Sequence, residues 1–310
     1  MNLRQTLYNK VNGEFQATFS IAAVEGIERM NQIKTVALLG LLSGLLIAIC
    51  YGVFGGVGGA LLGLLLASVM NLGSWFYSDR IALAAYQAQP IGPDRAPQLY
   101  NMVETLCDRA NLPMPGVYII PSQSPNAFAT GRDPEHAAVA VTEGILQMLP
   151  EDELEGVIAH ELSHIRNRDT LTQAVAATIA SAISFVAQML SYSMWFGGSR
   201  NNEGGNIVGM MATIFLAPIA ASIIQLGISR TREFEADAGA AELTGNPDAL
   251  ARALKRIESM ARQVPMGGNP AFAPLMIVNS RSRDWLRNLF STHPSTEARI
   301  ERLLGRSNRG

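Results

Sequence analysis

No aspartate, glutamate, lysine or arginine stands between Lys34 and Asp79. One bilayer crossing takes about 20 apolar residues, so this stretch is long enough for two, with Gly55, Gly56, Gly58 and Gly59 offering a tight turn between them. A second pair follows the same plan. Residues 171–196 and 206–229 carry no charge, and "GGSRNNEGG" separates them. The alternative is that each run is a buried helix of a large soluble core. Charged residues make up only 16% of the chain, against about 25% in an ordinary soluble domain. Four such runs therefore predict two transmembrane hairpins. The first run begins too far from Met1 for an ordinary signal peptide.

Arg29, Lys34 and Arg80 flank the first hairpin, and Arg166, Arg168, Arg230 and Arg232 the second. The first turn is uncharged, and the other holds only Arg200 and Glu203. Positive charge is retained on the cytoplasmic side, so both termini and the polar segments are expected there. The net charge of −2 gives no electrostatic reason to expect nucleic acid. Cys50 lies in the first span and Cys107 in a polar segment. At such different levels a disulfide is not expected.

The expected organisation is an arm at 1–33, a membrane hairpin at 34–78, a polar segment at 79–169, a second hairpin at 170–228 and a second polar segment at 229–310. The fold class is a mainly α membrane protein with four transmembrane helices and one cytoplasmic α+β domain holding a small sheet. In that domain "APQLYNMVETLCDRANL" has helical spacing. The pieces "VYII", "NAFAT" and "AAVAVTEG" read as short strands punctuated by Pro, Ser and Gly. Further helices are expected from about Glu151, from near Ser229, and after Asn246, whose side chain would cap a helix with Pro247 at its first position.

The helix from Glu151 carries "HELSHIRNRD" at 160–169, with two of the chain's four histidines. At about 100° per residue, Leu154, Val157, Ile158, Leu162 and Ile165 share one sector. Glu161 falls inside it, and His160 and His164 lie together on its flank. A carboxylate among buried apolar neighbours costs several kcal/mol without compensation, and a divalent cation beside it supplies that. In H-E-x-x-H the i, i+4 spacing brings two imidazoles to one zinc, with the glutamate beside the metal as general base. A helix carrying two merely satisfied histidines is the plainer alternative. A third ligand is expected beyond the second hairpin, where "SRTREFEADAGA" offers Glu233, Glu235 and Asp237. Glu233 and Asp237 share a helix face, so one could ligate zinc and the other could fix a histidine through its second ring nitrogen.

The segments "PMPGVYIIPSQSPNAFATGRDPEHAAVAVTEGIL", "VIAHELSHIRNRDT", "SRTREFEADAGAAELTGNPDALARAL" and "LFSTHPSTEARI", in this order, resemble the HtpX family of integral-membrane zinc metalloproteases. These are gluzincins related to the CAAX prenyl proteases. The resemblance implies a zincin-like domain in which His160, His164 and Glu233 bind one zinc ion, with Glu161 as general base and Asp237 behind a ligand. It implies that the strand at Asn126, Ala127 and Phe128 lies along the substrate backbone, and that His293 contacts the substrate or the oxyanion. The implied activity is hydrolysis of protein substrates, damaged membrane proteins in particular, in the inner membrane of a bacterium. Ser295 stands where that family commonly has proline, and the arm before the first span is longer than its minimal form.

A zinc transporter would place its ligands within the apolar runs, whereas all four histidines lie outside them. A structural metal in a membrane scaffold would usually take four protein ligands, often cysteines. Three ligands and an adjacent base point to a catalytic zinc.

Overall fold

The computed structural model describes residues 32–44, 46–48, 50–51, 55–179, 230–264, 275–277 and 294–307. Residues 1–31 of the expected arm, residues 180–229, which make up most of the expected second hairpin, and His293 lie outside them.

The first apolar run forms helices α1 (Gln32–Ala48) and α2 (Gly56–Ala85). At 1.5 Å per residue α2 is about 45 Å long, and it is the helix among the described residues long and apolar enough to cross a membrane. Gly58 and Gly59, expected in the turn, are helical. Packing accounts for Gly59, where a Cβ would lie 2.4 Å from the Cys50 carbonyl oxygen, and for Gly63 one turn on, where it would come within 2.6 Å of Ile47 Cα. Small residues let two backbones meet where lipid provides no hydrophobic drive. Asn71 completes the clasp by donating to Ser43 Oγ at 2.9 Å. Leu61, Leu64, Leu65, Val69, Leu72 and Phe76 of α2 face outward, an arrangement that suits lipid. Four spans were expected, and the described residues contain this one helix of spanning length, with α1 and α6 (Thr170–Ile179) as shorter apolar helices. Thr35 of α1 meets Thr172 of α6 through a buried hydroxyl contact of 2.9 Å.

Beyond α2, β1 (Gln89–Pro90), α3 (Pro97–Ala110), β2 (Gly116–Ile120), β3 (Ala127–Gly131) and β4 (Ala137–Thr142) alternate with short turns. The sheet order is β1-β2-β4-β3. β2 and β4 are parallel, the other pairs antiparallel, so β4 lies inside and β3 forms an edge. β4 reads Ala-Ala-Val-Ala-Val-Thr and is buried throughout, as a strand covered on both faces must be. One side of the sheet, with Phe128, Ala138 and Ala140, packs on Ala82, Leu83 and Tyr86 at the end of α2. The other, with Val139 and Val141, packs on Val157, Ile158 and Leu162. These last three belong to α5 (Glu151–Arg166), which follows the short α4 (Glu143–Met148).

α5 opens with Glu151, Asp152 and Glu153, charges favourable to a helix N-terminus. After its end, Arg168 takes φ +52° and turns the chain. The second polar segment supplies α7 (Arg230–Thr244), α8 (Pro247–Gln263) and α9 (Thr296–Ser307). Asn246 Oδ1 caps α8 by accepting the Ala249 N–H at 3.1 Å. α7 approaches α5 closely at Gly239, where a Cβ would lie 2.5 Å from Ser163 Oγ. That approach brings the acidic face of α7 to the histidines of α5.

Candidate metal centre

His160 and His164 are buried, one turn apart on α5, with their Nε2 atoms 3.2 Å apart and their rings edge to face. Behind each ring stands a carboxylate. Asp237 Oδ1 lies 3.0 Å from His160 Nδ1, and both oxygens of Asp169 lie 3.1 Å from His164 Nδ1. With each Nδ1–H donating to its carboxylate, the two Nε2 lone pairs face one another, a repulsive arrangement that a cation converts into ligation. Two nitrogens bound at about 2.05 Å to a tetrahedral zinc lie about 3.3 Å apart. Glu233 adds a carboxylate, with Oε1 3.7 Å from His164 Nε2 and Oε2 3.8 Å from His160 Nε2. One donor atom from each of these three residues falls within 4.8 Å of the others. Two imidazoles and a carboxylate are a donor set that fits catalytic zinc, with its fourth position for water or substrate.

The surrounding charge agrees with a divalent ion. Four buried carboxylates, Glu161, Asp169, Glu233 and Asp237, are accompanied among the described residues by two buried guanidinium groups, Arg232 and Arg299. With neutral imidazoles two negative charges remain. Burial works against a charged His164, but Asp169, with Glu233 and Glu161, overrides it and raises that imidazole to about 10. The pocket therefore favours positive charge at the ligand position. Burial also opposes ionisation of Asp237, yet the Arg299 guanidinium holds its carboxyl at about 2. Arg299 donates from Nε at 2.9 Å and Nη2 at 2.6 Å to the two oxygens of Asp237, a bidentate, charge-assisted pair.

Glu161 lies against β3, where its Oε2 accepts the Ala129 N–H at 2.7 Å. Burial pushes its carboxyl above the usual range and the charge of Glu233 adds to this, while the two imidazoles and the Ala129 N–H oppose it. A carboxyl with a raised pKa beside a group of donors that could hold a metal is suited to receiving and returning a proton.

Along β3, alternate backbone groups point away from β4. Ala129 donates to Glu161 and the Ala127 carbonyl accepts the Ile277 N–H at 3.3 Å. Asn126 Oδ1 also accepts that N–H, at 3.0 Å. Phe128 does not face this edge. It pairs with Ala140 of β4, and its buried ring packs on Tyr86 at 5.7 Å between centroids, because side chains alternate along a strand.

The model of peptidase family M48 matches residues 93–307. The chain belongs to peptidase family M48. A Protease HtpX homolog of Trichormus variabilis is 69% identical over 277 residues, 88% of this chain and 96% of that protein. The Protease HtpX homolog of Nostoc punctiforme is 68% identical over 276 residues, covering 88% and 96%. That of Pyrococcus furiosus is 51% identical over 274 residues, covering 87% and 94%. The crystal structure of S. mikatae Ste24p superposes with a TM-score of 0.48 at 20% identity, over 90% of this chain and 66% of that one. This M48 chain is a zinc metalloprotease.

Neither Asp169 nor Arg299 stands out as a site residue in the M48 chain's sequence. Asp169 lies beyond the end of α5 and returns to His164 because of the turn at Arg168. Arg299 left a trace that could have been read. It stands four residues before the buried Leu303 on amphipathic α9, so a charge occupies a core position of the pattern and calls for a buried partner.

Proposed function

We propose that His160, His164 and Glu233 hold the zinc ion of this protease, that Glu161 is its general base, and that it cleaves protein substrates at the cytoplasmic face of a bacterial inner membrane. The convergence of the three donors beside Glu161 carries this reading. When bound, zinc polarises the scissile carbonyl and activates a water for attack. Glu161 takes the proton of that water and delivers it to the leaving amine. Asp237 and Asp169 hold His160 and His164 with their Nε2 atoms inward, which fixes the tautomer a ligand needs. His293 is assigned to the oxyanion, the charge that develops as the carbonyl is attacked.

The substrate is an extended segment paired along β3. Asn126 Oδ1 and the Ala127 carbonyl accept its backbone N–H groups, a mode that reads main chain more than side chains. Tolerance of sequence suits removal of damaged membrane proteins. The membrane part consists of two hairpins, 34–78 and 170–228, with the arm at 1–33 before them and the catalytic domain divided between 79–169 and 229–310. The outward leucines of α2 and the arginines flanking each apolar run support this placement.

The test compares purified wild type with Glu161→Gln for bound zinc and for cleavage of an unfolded protein, with and without chelator. Equal zinc in both is expected, with cleavage reduced about 10²–10⁴-fold by the substitution and lost from wild type on chelation. Undiminished cleavage by zinc-loaded Glu161→Gln would remove Glu161 from the mechanism.

A further inference from the structure

The edge of β3 assigned to the substrate already holds a piece of this chain. Ile277 donates its N–H to Asn126 Oδ1 at 3.0 Å and to the Ala127 carbonyl at 3.3 Å. Its own carbonyl accepts from Arg299 Nη1 at 3.2 Å. One residue thus takes two acceptors at the start of the strand and a donor on the opposite side. None of these contacts depends on what side chain Ile277 carries, so any residue but proline placed there can satisfy them. The position is also beside the donor cluster. Arg299 Nη2 lies 3.4 Å from the ring nitrogens of His160, and Nη1 lies 3.6 Å from Glu233 Oε2.

The side chains are equally well seated. Leu275, Met276 and Ile277 are each at most 5% exposed. Leu275 and Met276 join Tyr86, Phe128 and Ala140, whereas Ile277 joins the cluster of Val157, Leu162 and Leu254. Three consecutive apolar residues fill apolar surroundings on both sides of a backbone clasp.

We infer that Leu275–Ile277 is an internal occupant of the substrate edge of β3, and that the substrates are extended apolar segments that displace it, with an aliphatic residue at the Ile277 position. The inference rests on the proposed reading of β3 as the substrate strand. Competition follows directly: a substrate reaches the edge only in the fraction of molecules whose own segment has left it, and its apparent affinity falls by that fraction. Peptides lacking apolar residues leave the segment in place, which protects soluble polar chains from cleavage.

The test uses the full-length Glu161→Gln protein carrying one zinc per chain. Its probe is a fluorescein-labelled peptide with the sequence of residues 272–281, Phe-Ala-Pro-Leu-Met-Ile-Val-Asn-Ser-Arg, followed by anisotropy. Adding Ile277→Pro deletes the N–H that both acceptors hold. For a segment seated nine-tenths of the time, the probe then binds about tenfold tighter. Unchanged affinity with zinc retained would overturn the inference. A second measurement needs no change at Ile277. Saturating probe should speed hydrogen exchange at the Ile277 amide about tenfold in the Glu161→Gln protein, and unchanged or slower exchange would overturn the inference however the proline variant behaves. Cleavage of the probe by this protein would count against Glu161 and not against the occupant, which the exchange rate decides separately.

Discussion

Replacing Arg299 by methionine removes one half of a buried ion pair and leaves Asp237, 2% exposed, without its two charge-assisted bonds of 2.9 and 2.6 Å. Removing one partner of such a pair costs about 3–5 kcal/mol, since the surviving charge is stranded in a poor solvent. At about 2–4 °C per kcal/mol for a domain of this size, the melting temperature in detergent should fall by about 6–20 °C. The second consequence is at the metal. The guanidinium keeps Asp237 ionised, and the ionised carboxylate orients His160 through Nδ1. Loss of such a partner weakens metal binding by about 10–100-fold, which competition with a fluorescent zinc chelator measures. A double substitution, Arg299→Met with Asp237→Leu, separates the two effects. With both charges gone the stability should largely return, whereas zinc affinity should stay low because His160 still lacks its carboxylate. Wild-type melting and zinc affinity in Arg299→Met would refute the argument. So would a double variant no more stable than the single one.

Asp169→Asn should weaken zinc binding about 10–100-fold through His164, with the secondary structure intact by circular dichroism. Gly239→Val forces α7 away from Ser163. It should cost about 1–3 kcal/mol and reduce the zinc found per purified chain. Burial, followed by the charges of Asp108 and Glu104, pushes the Cys107 thiol up to about 11. The folded chain therefore keeps that proton where the unfolded chain loses it, so its contribution to stability falls as pH rises from about 9 towards 11. Maleimide labelling at pH 8 should accordingly be slow at Cys107 in the native protein and fast after denaturation, as peptide mass spectrometry would show.

What could be read along the chain was local. The i, i+4 spacing of His160 and His164 is a property of one helix, so the pair and the glutamate between them were legible wherever that helix ended up. Lys34 to Asp79 announced lipid by lacking charge, because an apolar run of that length has few other places to go. Asn246 with Pro247 marked a helix start for the same reason, since its hydrogen bond reaches only three residues. Glu233 and Asp237 were visibly on one face, yet spacing alone left their roles interchangeable.

Tertiary structure sets them at different distances from the imidazoles. Close packing at Gly239 sets the depth of α7 against α5, and that depth puts Glu233 near both Nε2 atoms and Asp237 behind His160. Arg299 stands 62 residues from Asp237, and Ile277 lies 151 residues from Asn126. No periodicity links positions so far apart. Phe128 was expected in the cleft with its neighbours, and its ring packs on Tyr86 at the end of α2. Sequence by itself determined the chemistry available to this protein, two imidazoles and a carboxylate on one helix beside apolar runs. Only the fold decided which distant charges hold those groups in place, because burial makes an unpaired charge so costly that packing must find it a partner.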